Sequence, residues 1–397
     1  GCYEVSTIGS SGSKGEENKK YLLYSKPIPF LDNKKSIDIA FAFNDYDENG
    51  KPQFIKLACP TITVYFPTDK ESKLHFIIQG PFVTPPHRGD VPDDDKDNQY
   101  LAQIAAELFE EAIIDLKQRK WLSLDLLELL PYEKVPNNNW LFLPLQKKLY
   151  TLLKDSEILP TVNNEYVNAK NAKIADSSDL TDFFCFPLLG DLLKNNDYRW
   201  LPISLTDSNP KFRNLYNFFK KDFIEWVKDV DDINYKAETI IKEVSISTIG
   251  VALRENKSFL IVREDSWLEK FYTYLADKRP AMLQVGGQSF VTVPFIKTVD
   301  NRFVSPYKYD NKSKELTANI FIKPRNAVFA TQNYDLNFVN DVVPKNIIAK
   351  LHICEPDGYD FFRRELESNE NTNKQTNEAN ISQIKKAFKY LKEEQNG

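Results

Sequence analysis

The side chains whose types and spacing could do chemistry lie between residues 74 and 116. A strand, LHFIIQGPF (74–82), runs into the turn TPPHRGDVP (84–92), which carries Arg88 among Pro85, Pro86 and Pro92. A guanidinium stays protonated and grips phosphate oxygens with paired donors. Prolines stiffen the loop that presents it. A residue of this kind stabilises charge on a phosphoryl group in transfer. The plainer reading of Arg88 is a surface ion pair with Asp93–Asp95, an interaction of small energetic value. Gln79, at the end of the strand, is a second candidate for orienting the same phosphate, against the plainer role of a core-edge amide.

Other chemistries find less support. His87 could be a general base, but no nucleophile or paired carboxylate stands beside it in the sequence. The run Asp93, Asp94, Asp95 and Asp97 lacks the spacing of a calcium loop and suits the start of a helix. Gly286-Gly287 has neither a GxGxxG pattern nor a following helix, so it reads as a hairpin turn. Cys2, Cys59, Cys185 and Cys354 form no CxxC pair, and His75, His87 and His352 are the only histidines, which argues against zinc. The same cysteines outline no disulfide framework, which fits a reducing, cytoplasmic setting. The net charge of −5 opposes a broad nucleic-acid surface. The lysines near Lys220 and Lys385 read as solvated helix faces. No apolar run reaches the ~20 residues of a membrane span, so no membrane partner is expected.

The elements that must hold the Arg88 turn are legible around it. IDIAFAF (37–43), TITVYFP (61–67) and LHFIIQGPF (74–82) read as strands, with Asn49-Gly50 as a hairpin signal. After Pro92, Leu101, Ile104, Ala105, Leu108, Phe109, Ala112, Ile113 and Leu116 make one apolar stripe at helical spacing. The preceding aspartates cap it. A short helix follows in SLDLLELLP (123–131), with Ser123 as cap. Strands and helices in runs suggest an α+β domain over residues 1–135. A chain of 397 residues has room for two or three domains. Residues 136–366 read as a mixed helical region containing LPLQKKLYTLLKDS (143–156), NPKFRNLYNFFKKDFIEWVKDV (209–230) and DSWLEKFYTYLADKRP (265–280). Within it, residues 157–184 and 294–321 echo each other: an apolar entry, Thr-Val-Asn/Asp-Asn, then Tyr166-Val167 or Phe303-Val304. They read as two copies of a small β-turn unit. Residues 367–380 read as a polar linker and 381–397 as an amphipathic helix. The chain opens Gly1-Cys2-Tyr3, without methionine, and is expected to be a piece of something longer.

The run YFPTDKESKLHFIIQGPFVTPPHRGDVPDDDKDNQYL (65–101) resembles bacterial ATPases of the sacsin-like, heat-shock-protein-90-like GHKL group. EILPTVNNEYVNAKNAKIA (157–175), WLEKFYTYLADKR (267–279) and LHICEPDGYDFF (351–362) are shorter segments similar to the same family. The resemblance implies that residues 1–135 are a ribosomal-S5-domain-2-like middle domain, with Arg88 directed at the γ-phosphate. The remainder would be the repeat-bearing region of sacsin-like proteins. The nucleotide motifs of that family, a Glu/Asn helix, a DxGxG turn and a Gly-rich lid, are missing from this sequence. ATP and Mg are therefore expected at an N-terminal GHKL nucleotide-binding domain of the same protein, with no cofactor and no catalysis in this chain alone. The resemblance further implies a protein client or partner, a homodimer and a role in anti-phage defence. A nucleotide-independent interaction scaffold is the alternative.

Overall fold

The computed structural model describes residues 2–9, 17–29, 35–58, 60–133, 140–222, 241–284, 290–310, 315–324, 336–357 and 360. The expected linker 367–380, the helix 381–397, Gly286-Gly287, Lys385 and the GSSGSKG loop beyond Gly9 lie outside these residues. The fold is a mixed α+β one, and the chain divides into two compact units. One comprises Gly1–Thr181 with Asp197–Glu243, the other Asp182–Asn196 with Val244–Gly397.

The first unit is built on a seven-stranded sheet: β1 (Cys2–Gly9), β2 (Glu17–Pro27), β3 (Ser36–Tyr46), β4 (Pro52–Phe54), β5 (Thr61–Val64), β6 (Phe66–Glu71) and β7 (Ile77–Gln79). The order is β1-β2-β3-β7-β5-β6, with β4 also paired to β3. All pairs are antiparallel except β5 with β7. In β3 the alternation works as the sequence suggests: Ile37, Ile39, Phe41 and Phe43 share one face and are fully buried. That face is covered by α1 (Lys96–Gln118). Phe76 links the layers, lying 5.1 Å from Phe41 and stacking on Phe109 of α1 at 6.0 Å. Tyr24 of β2 donates to Asp115 of α1 at 2.8 Å.

Every residue of the predicted α1 stripe is buried. So are Ala102 and Ala106, which lie beside that stripe and show that α1 is covered on more than one side. The helix α3 (Leu143–Asp155) lies against it. Between them runs the short α2 (Leu124–Leu127), capped by Ser123 as expected. One hydrophobic core therefore runs from Leu22 to Ile241. The compact units divide elsewhere than at residue 135, because α1 is sandwiched and needs α3 to cover it.

The two echoing segments have the same turn. In the first, Leu159 pairs with Val167, and Thr161 exchanges backbone and hydroxyl hydrogen bonds with Glu165. In the second, Ile296 pairs with Val304, and Thr298 does the same with Arg302. Asn164 and Asn301 hold the left-handed position at φ of 59° and 60°, the conformation asparagine tolerates best after glycine. In each, the valine after the threonine donates to a carbonyl of another segment, Val162 to Trp200 and Val299 to Phe338.

In the second unit the helix Asp265–Lys278 buries Leu268, Phe271, Tyr272 and Leu275. Its cap is Glu264, and Asp265 sits in the first turn and pairs with Lys297 at 2.5 Å. Among the described residues no helix is long and apolar enough to cross a membrane.

Phe109→Ala should remove the contact between helix and sheet and lower stability by about 3–5 kcal/mol. A denaturant titration of the full chain checks this. A loss below about 1 kcal/mol would mean that the sheet and α1 are not one core.

Candidate functional site

The loop that follows β7 is fastened by a side chain that periodicity does not reveal. Asn98, in the first turn of α1, is fully buried. Its Oδ1 accepts from the Val83 amide at 2.7 Å, and its Nδ2 donates to the Val83 and Pro92 carbonyls, each at 3.1 Å. Both ends of the 83–92 loop are thus tied to one amide group. The middle is tied to the sheet edge, where the Asp69 amide of β6 approaches the Arg88 carbonyl at 3.4 Å. The helix start is secured separately. Asp95 caps α1 by accepting from the amides of Asp97 and Asn98.

Arg88 stands at the exposed turn of this loop, in the left-handed region at φ 54°. A non-glycine residue there is strained by about 1 kcal/mol or more, which marks the position as one held by its surroundings. Its guanidinium lies over the Phe66 ring at 5.6 Å. The expected pairing with Asp93–Asp95 does not form. Lys70 takes Asp90 at 3.0 Å and Asp93 at 3.3 Å, and Asp95 is occupied as the cap. The Lys70 ammonium holds the Asp90 carboxyl below its ordinary range. Among the described residues no carboxylate forms an ion pair with Arg88. Lys70, Asp90, Asp93, Trp140 and Lys147 line a groove of about 720 Å³, and Arg88 is not part of its wall.

Gln79 belongs to a different place. Strand register puts Ser25, Asp38, Gln79 and Thr63 in one row across β2, β3, β7 and β5. Alternation in β3 sends Asp38 to the face opposite Ile37 and Ile39, away from α1. Asp38 Oδ1 accepts from the Ser25 hydroxyl at 2.6 Å and the Ser36 hydroxyl at 2.9 Å, while Gln79 Nε2 reaches Oδ2 at 3.5 Å. Ser36, Asp38 and Gln79 line a cavity of about 260 Å³ whose wall also includes Lys35, Tyr65 and Gly80. The structure therefore does not gather Gln79 and Arg88 into one cavity, and a carboxylate beside Gln79 disfavours an anion there. Gly80 lies close against Ile37, whose Cδ1 a Cβ at this position would have to displace.

A further ionisable group is hidden in the first unit. Lys173 is only 3 % exposed, and its Nζ donates to the carbonyls of Lys170 and Ala172, each at 3.0 Å, beneath the Tyr198 ring at 3.6 Å. Burial, assisted by the nearby charge of Lys242, pulls its pKa down from 10.5 to about 7. Sequence reasoning found neither Asp38 nor Lys173. The Asp38 signal was present as the one charged residue in the apolar run 37–43. Lys173 gives no such signal, since the strand holding it is four residues long.

No protein-family model, no curated protein sequence and no solved structure matches this chain. Among the described residues no cluster of His, Cys, Asp or Glu could hold a metal ion.

Replacing Asn98 by Leu should cost about 1–3 kcal/mol for each backbone group left without a partner. Hydrogen exchange of the Val83 amide should quicken by more than global destabilisation explains; equal acceleration throughout α1 would show that Asn98 does not fasten the loop specifically. For Lys173 the folded pKa lies below the unfolded one, so the unfolded chain holds the extra proton between pH 7 and 10.5 and stability rises with pH across that window. Lys173→Met should therefore stabilise the protein more at pH 6 than at pH 9.5, as thermal unfolding at the two values would show. A gain independent of pH would contradict the shift.

Proposed function

We propose that the first unit is the transducer of an ATPase of the sacsin-like, heat-shock-protein-90-like GHKL kind. A nucleotide domain of the same protein brings ATP with Mg to it, and Arg88 meets the γ-phosphate. The observation that carries this reading is the state of Arg88. Its charge is exposed and unclaimed by any described carboxylate, although five aspartates lie within ten positions of it. The loop beneath it is fastened at both ends by Asn98. A fixed, solvated guanidinium is a contact waiting for an anion and adds little to the fold of this chain. On this reading the α+β unit has the ribosomal-S5-domain-2-like fold, and the second unit transmits closure to a protein client. The protein is cytoplasmic, works as a homodimer and serves anti-phage defence.

A nucleotide-independent scaffold is the second reading. The exposed pair Ile261 and Val262, 63 % and 70 % accessible in the second unit, favours it, since adjacent exposed aliphatics suit a partner surface.

ATP turnover by the protein carrying its upstream domain decides between them. Arg88→Ala should lower kcat by about a hundredfold or more, with Arg88→Lys intermediate and the fold unchanged by circular dichroism. Turnover indifferent to both substitutions would remove Arg88 from the reaction. Absence of turnover in the intact protein would favour the scaffold.

A further inference from the structure

The cavity around Asp38 offers a carboxylate that none of the described cations pairs with, although Lys35 stands in its wall. Asp38 is a half-buried carboxylate whose described partners are all neutral: two serine hydroxyls on Oδ1 and the Gln79 amide on Oδ2. No described cation lies within ion-pair distance of it. The contact to Oδ2 is at the outer limit of a hydrogen bond, so that oxygen retains most of its accepting capacity. Gln79 lines the cavity, and with its Nε2 turned toward Asp38 its Oε1 is the acceptor of the same amide. Two acceptors side by side match the fork of a guanidinium better than the point charge of an ammonium.

The wall opposite completes the match. Tyr65 lines the cavity, is 65 % exposed, and holds φ at 59°. An aromatic residue has no intrinsic reason to occupy the left-handed region, so its ring is kept at the cavity mouth against a backbone preference. Lys35 shows that the ring attracts cations, with its Nζ 5.9 Å from the ring centre. The volume of about 260 Å³ is small for a free metabolite and suits a single side-chain head.

We infer that this cavity is a docking pocket for an arginine side chain presented by a protein partner. The guanidinium would bond to Asp38 Oδ2 and Gln79 Oε1 and lie against the Tyr65 ring. Lys35 opposes it electrostatically and so sets the affinity. Arg88 is not part of the pocket wall, and the inference does not depend on ATP coupling.

The test titrates the full chain with N-acetyl-arginine methylamide, using its citrulline counterpart as the neutral isostere, and follows the Gln79 and Gly80 amides by NMR. Saturable shifts are expected with arginine, at about millimolar affinity for the isolated residue, and none with citrulline. Tyr65→Gly, which removes the ring and relieves the strained φ, should weaken binding about fivefold. Lys35→Gln should tighten it about threefold by removing the like charge. Asp38→Asn should abolish it, and the first two variants keep the test decisive if Asp38→Asn fails to fold. The inference is overturned if arginine gives no saturable shift, if citrulline binds equally, or if inorganic phosphate binds instead and Lys35→Gln weakens it.

Discussion

One buried amide, that of Asn98, holds the part of the molecule on which the functional reading rests. It joins the first turn of α1 to Val83 and Pro92, so the loop carrying Arg88 inherits the position of the helix. The helix in turn is fixed by Phe109 against Phe76 and by its cover, α3. A loop with two prolines near its start is stiff, but stiffness alone does not orient it. A side chain that satisfies three backbone groups at once does, because moving the loop would break all three hydrogen bonds together.

The same sheet supports two chemically opposite features because a strand has two faces. In β3 the odd positions Ile37, Ile39, Phe41 and Phe43 build the core. The even position Asp38 joins Ser25, Gln79 and Thr63 in a polar row on the other side. Arg88, by contrast, is delivered by the loop over the Phe66 ring. Both Arg88 and Tyr65 occupy left-handed backbone positions that only their surroundings can impose. Strain at these two residues, one beside each feature, is consistent with a surface shaped for contact.

The stripe of α1 and the alternation of β3 were legible because burial on one side imposes a period of 3.6 or 2 on residue type. The caps at Asp95 and Ser123 were legible because orphan amides at a helix start select a short oxygen-bearing side chain. The paired turns at Thr161 and Thr298 were visible as an echo of residues, since a threonine exchanging bonds across four positions and an asparagine at positive φ are local requirements. The role of Asn98 was hidden, because a polar residue in a first turn reads as helix-end chemistry. The partner of Gln79 was hidden too, since Asp38 is 41 positions away.

By itself, then, the sequence determined the elements, their caps, their buried faces and the candidacy of Arg88, all of which follow from interactions within a few residues. The tertiary structure decided which charges find one another. Lys70, not Arg88, draws Asp90 and Asp93, and Asp95 closes the helix, leaving the arginine exposed. Strand register, which no local pattern encodes, set Gln79 beside a carboxylate and separated it from the arginine with which it had been grouped. Electrostatic partnership depends on distance in space, and that distance exists only once β3, β7 and α1 have packed.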